Sequence, residues 1–197
     1  MQNARKPALD YREYYHLESY LFDTVNPRFA KQGYLGALDF FCIVIWKAER
    51  AKSRIAKTLQ ESGHDLDTAC SLLTQGIARE ASAENRLRTL VQKGIRLPMA
   101  SAILTVLYPE EFTVYDKRVC DILGEFHRLK NVTNFERLWL GYQDFKRKVE
   151  ATAPLELSLR DKDRYLWGKT FHERLRTDVE QGFKRPKAKK AKPSDDK

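Results

Sequence analysis

The sequence is poor in the residues that usually announce chemistry. It has only three cysteines, Cys42, Cys70 and Cys120, widely spaced and without a CxxC pair, which leaves neither a zinc site nor a four-cysteine iron–sulfur cluster. Its four histidines, His16, His64, His127 and His172, are scattered; none has metal-ligand spacing, or a serine or cysteine partner that would suggest a triad. No metal and no cofactor are expected. The longest apolar run, Phe40 to Trp46, is far too short to cross a bilayer, so no membrane partner is expected either. Internal repeats, hairpin turn signals and period-two alternation are missing, which argues against solenoids and sheets. An odd cysteine count without a signal sequence points to a reduced cytoplasm.

Positive charge is what the chain does have. Its 197 residues, 42% of them hydrophobic, suffice for one domain or two small lobes sharing a core. The formal net charge of +9 favours a polyanionic partner. Its distribution is uneven: from Gln181 onward, QGFKRPKAKKAKPSDDK holds seven Lys/Arg and two Asp, so that segment carries +5 and leaves +4 on residues 1–180. Alternating Lys and Ala with Pro186 and Pro193 predict a disordered arm over 181–197. Beside a nucleic-acid site such an arm adds nonspecific, salt-sensitive affinity; otherwise it only aids solubility.

The remaining pattern is helical almost throughout. Residues 11–25 place Tyr14, Leu17, Leu21 and Phe22 at three-to-four spacing, with Asn26-Pro27 as the stop. A longer helix is predicted over about 35–61, apolar in its first half and basic in its second, where Lys47, Arg50, Lys52, Arg54 and Lys57 leave the core. Gly63 breaks it. Asp65 or Asp67 caps the next helix, which ends or bends at Gly76, and Ser82 starts another that closes at Lys93-Gly94. Pro98 suits the first turn of the following helix, where its missing N–H costs nothing. After Tyr108-Pro109 comes a short extended link, and then Asp116 stands where an N-cap belongs, before a helix terminated by Gly124. Asn134 or Thr133 begins a further helix, and the last runs over about 158–179. The expectation is an all-α domain of about eight helices in two lobes.

One segment carries more than packing. A helix, a short glycine hairpin at GIRLPMASA, a second helix and a lone acid at VYD, ending at Asp116, resemble the helix-hairpin-helix superfamily of DNA glycosylases. WKAER, from Trp46 to Arg50, and DKDRYLWGK near the C-terminus are similar to segments of a bacterial branch of the 8-oxoguanine-glycosylase fold. The resemblance implies double-stranded DNA as the partner, Asp116 as the catalytic residue, and DNA contacts from Lys93, Gly94, Ile95 and Arg96 of the hairpin and from Lys47, Arg50 and Lys117. It also implies a base pocket built from Trp46, Tyr115, Asp163 and Trp167.

Each part has a physical use. Hairpin amides and a helix N-terminus can grip one phosphate without reading sequence. A carboxylate stabilises the oxocarbenium character that develops when an N-glycosidic bond breaks. A base inside a duplex has to be flipped into a pocket where aromatic faces replace its lost stacking. Two positions depart from the family. Arg96 replaces the second hairpin glycine, and Pro98 stands where strand-cutting members carry a lysine nucleophile. The expected activity is therefore monofunctional hydrolysis by a monomer, in base-excision repair or in defence against modified foreign DNA. A noncatalytic helix-hairpin-helix DNA-binding protein is the alternative. A helical protein-interaction domain leaves the spacing from hairpin to Asp116 unexplained.

Overall fold

A computed structural model describes residues 11–183. The described residues are all-α, with about eight helices and no strand among them. Most of the predicted disordered arm lies outside the described residues. No helix among them is long and apolar enough to cross a membrane.

The first helical stretch is longer than the sequence suggests. A 3-10 turn, Tyr11–Tyr14, precedes α1 (Leu17–Tyr20), a π turn at Leu21–Val25 and α2 (Asn26–Gln32), which ends at Gly33 with φ 76°. Pro27 does not stop the chain. It falls in the first turn of α2, and the widened π turn before it absorbs the hydrogen bond that the ring cannot make. The side chain of Asn26 then donates to the carbonyls of Val106 (2.7 Å) and Leu107 (3.2 Å), satisfying the orphan end of a later helix.

The helix predicted over 35–61 is two helices. α3 (Ala37–Ala48) stops at Ala48, whose backbone is extended at φ −167° and ψ 95°, and a 3-10 turn over Glu49–Ala51 redirects the chain into α4 (Lys52–Gln60). The reason is tertiary: α4 turns away to bury Ile55 and Leu59 against α5 (Leu66–Arg79). Asp65, rather than Asp67, caps α5 by accepting from the Thr68 N–H at 3.0 Å, and α5 passes straight through Gly76. Ser82 caps α6 (Ala83–Gln92) as expected.

The next helix, α7 (Leu97–Leu107), is the centre of the molecule, with ten of its eleven residues buried. α3 and α6 pack along it. α8 (Lys117–Leu123), α9 (Phe135–Thr152) and α10 (Leu159–Glu180) form a second group, capped by Asp116, Asn134 and Ser158. One continuous apolar cluster runs from Tyr20 through α7 to Leu166, so the two groups share a core. At about 25 cal/mol per Å² of apolar surface removed from water, that shared burial is what holds α8 to α10 against the rest.

Candidate active site

The site is built where the extended link over residues 112–116 leaves α7 and enters α8. The link has no strand to pair with, yet Phe112, Thr113, Val114 and Tyr115 are all buried. Buried amides need partners, and three side chains from three helices supply them. Tyr142 of α9 grips Thr113 twice: its oxygen accepts from the Thr113 N–H (3.0 Å) and its hydroxyl donates to the Thr113 carbonyl (2.7 Å). Asp163 of α10 accepts from the Val114 N–H (3.0 Å) and the Thr113 hydroxyl (3.2 Å), and Ser101 of α7 accepts from the Tyr115 N–H (2.9 Å). Asp116 is thus delivered by a segment clamped along its length. Tyr142→Phe leaves one buried N–H and one buried carbonyl unpaired and is expected to cost about 1–3 kcal/mol for each, read as a lower midpoint in urea unfolding with an unchanged slope.

Asp116 does two things with its two oxygens. One accepts from the Arg118 N–H at 2.9 Å and caps α8; the other meets the Lys47 ammonium at 2.5 Å. Lys47 reaches it from the last turn of α3, just before the break at Ala48, with its side chain 12% exposed against 25% for Asp116. Burial alone would push the Asp116 carboxyl up. The charge and hydrogen bond of Lys47, with the N–H of Arg118, outweigh that and hold it below the ordinary carboxylate value. The carboxylate is therefore ionised at neutral pH, and each oxygen retains acceptor capacity for a further group.

The Lys47–Asp116 pair stands between two cavities that both touch it. On one side is a groove of about 630 Å³ lined by Arg50, Arg54, Arg96, Lys117 and Lys130 in addition to the pair. Among the described residues none of those five cations is ion-paired, and Asp116 is the only acid in the lining. Elsewhere on the surface arginines are neutralised, as where Arg88 meets Glu84 and Glu136. On the other side is a pocket of about 500 Å³ with Trp46, Trp167, Arg118 and Arg160 in its walls. Trp46 packs edge-on to Phe22, and Arg160 lies over both rings at 5.2 and 4.8 Å. Trp167 stacks on Phe171 with an interplanar angle of 10°.

Several expected residues meet here: Asp116, Lys47, Arg50, Lys117 and Arg96 in the groove, and Trp46, Trp167 and Asp163 at the pocket. Asp163 is 4% exposed, raised from its ordinary value by burial and held by Arg160 and the link; it supports the wall rather than offering a free oxygen.

Others differ from expectation. Tyr115 does not line the aromatic pocket: it is 3% exposed, its ring lies against Phe145 and its hydroxyl donates to the Phe126 carbonyl at 2.6 Å. The Gly94 and Ile95 amides are not available to a phosphate. They close α6 by donating to the carbonyls of Val91 (2.9 Å) and Leu90 (3.0 Å), a left-handed glycine C-cap with Gly94 at φ 79°. Ile95 is moreover fully buried. The donors at the start of α7 are those of Arg96 and Leu97, which precede the first intrahelical bonds. Lys93 is exposed and lines a separate cavity with His64 and Leu72, not the groove. Sequence reasoning missed Arg118, Arg160 and Glu18. The Arg160 signal was present in RDKDR, but its partner Glu18 is 142 residues away.

Comparison with protein-family models, curated proteins and solved structures finds no match.

Proposed function

We propose that the protein is a monofunctional DNA glycosylase that hydrolyses the N-glycosidic bond of a damaged or modified base in double-stranded DNA. One observation carries this reading: an ionised, part-buried carboxylate stands on the boundary between a groove of unpaired cations and a pocket with tryptophan walls. Phosphates suit the groove, since five unpaired cations release counterions when they meet a backbone. A flipped base suits the pocket, where Trp46 and Trp167 can replace lost stacking. Asp116 then faces the deoxyribose between them, where positive charge develops as the bond breaks. A water that donates a hydrogen bond to Asp116 adds to C1′ as the base leaves with the electron pair of the broken bond, and an abasic site remains.

The reading as hydrolase rather than lyase now turns on Lys47. Pro98 occupies the hairpin position of the family nucleophile, and Lys47 is the amine in contact with Asp116. As an ion-paired ammonium it has no lone pair to attack C1′; it orients the carboxylate instead. Borohydride reduction during turnover is expected to trap no protein–DNA adduct, and released strands to break only after hot alkali. A trapped adduct that disappears in Lys47→Ala would make the enzyme a lyase. Repair of the cell's own DNA or defence against modified foreign DNA, by a monomer, are both compatible with this chemistry.

A further inference from the structure

We infer that Arg118 is the residue that receives the departing base, and that the substrate is a neutral base with carbonyl or ring-nitrogen acceptors rather than one made cationic by alkylation. The inference rests on the glycosylase reading of the pocket. The pocket's acids are Glu18, Asp116 and Asp163, and its cations are Lys47, Arg118, Arg160 and Arg164. Every acid is taken. Glu18 accepts from Arg160 (2.5 Å) and Arg164 (3.2 Å), Asp116 from Lys47, and Asp163 from Arg160 and the link. Arg118 is the cation left over: among the described residues no carboxylate lies within ion-pair distance of its guanidinium.

Arg118 is nevertheless fixed in place. Its guanidinium lies 4.4 Å from the centroid of Trp167 and 5.6 Å from that of Phe171, and its own backbone N–H binds Asp116. A stacked guanidinium keeps its N–H edges in plane and free to donate sideways. During cleavage the electron pair of the C1′–N bond goes to the base, water supplies the new bond to C1′ and gives up one proton to solvent, and the base takes up a proton from solvent afterwards. Asp116 faces the positive end of that charge separation, and Arg118 faces the negative end. A base already carrying positive charge would meet an unneutralised cation.

Fluorescence titration of the full-length protein tests this without requiring turnover, since Trp46 and Trp167 line the pocket. The probes are 8-oxoguanosine, neutral with carbonyls on both rings, and 7-methylguanosine, which is cationic on the acid side of neutrality, where the titration is run. The wild type is expected to bind 8-oxoguanosine more tightly than 7-methylguanosine. Arg118→Met, which keeps the length without the charge, should weaken the neutral probe about 10- to 100-fold, the worth of one charge-assisted hydrogen bond, and Arg118→Lys should recover part of it. Equal binding of the two probes, or an Arg118→Met variant that binds 8-oxoguanosine as the wild type does, overturns the inference. If the discrimination holds but no base is released from any duplex, the glycosylase reading fails and the assignment of Arg118 to an acceptor-bearing base stands.

Discussion

Asp116→Asn is expected to lower single-turnover base release by about 10²- to 10³-fold or more, the usual scale for removing one electrostatic stabiliser of a transition state, while duplex binding is retained. Asparagine can still accept from the Arg118 N–H, so the cap of α8 survives. What disappears is the negative charge that the proposed mechanism sets against the sugar. Its loss also strands the Lys47 ammonium, 12% exposed, without a partner, and removing one member of a largely buried pair destabilises through the other. Adding Lys47→Met to Asp116→Asn should recover thermal stability and leave the activity lost. That separation distinguishes a chemical role from a structural one. The pH dependence has a definite sign. Because the folded carboxyl lies below the ordinary value of 3.8, its ionisation is complete through pH 5–8, and Asp116 imposes no acid limb on the rate there. The stability it contributes is present above 3.8 and is lost only as pH falls through the lower folded value.

Removing the groove's cations is the second large effect. Arg50, Arg54 and Arg96 approach one cavity from the turn before α4, from α4 itself and from the start of α7. If each meets a phosphate, the triple alanine variant lowers the slope of log K against log salt by about 0.9 per contact, and affinity near 0.1 M salt by roughly tenfold per contact. Sequence dependence should not change, because phosphate contacts position and do not specify. Arg88→Ala is the matched control. That arginine is already neutralised by Glu84 and Glu136, so its loss should leave the salt slope unaltered. An unchanged slope in the triple variant would remove the groove from the proposed DNA interface and leave the +5 of residues 181–197 as the source of affinity.

How much of this could be read from the chain depended on how local the cause was. Ser82, Asn134, Ser158 and Asp116 cap the helices they precede, and Gly63, Gly94 and Gly124 adopt positive φ at helix ends, because capping needs only neighbours within a turn. The break at Ala48 left no trace. Alanine is a good helix former, and the chain bends there only because α4 must reach α5. Pro27 misled for the complementary reason: a π turn upstream absorbs it, and nothing in LFDTV marks that turn. The link before Asp116 was correctly short and extended, but which way Tyr115 faced was decided by clamps from Tyr142, Asp163 and Ser101 on other helices.

The chemistry shows the same division. Asp116 could be singled out from its place after the hairpin, whereas Lys47, 69 residues away, could be read from WKAER as a DNA contact and not as the partner of Asp116. The hairpin itself was legible as a turn and misread as a donor. Its two amides close α6, and Arg96, a departure from the family pattern, is a groove cation in its own right. Arg118 could not have been singled out in advance, since its unpaired charge is defined by which acids Arg160, Arg164 and Lys47 have already taken.

Mass analysis of bases released from oxidised, alkylated and phage-modified duplexes, with wild type and Asp116→Asn side by side, bears most directly on the proposed activity. The expected result is a free neutral base and an alkali-labile abasic site from the wild type, with neither from Asp116→Asn although it still binds the duplex. No base released by the wild type from any of the three, with duplex binding intact, would contradict catalysis at Asp116 and leave a DNA-binding protein.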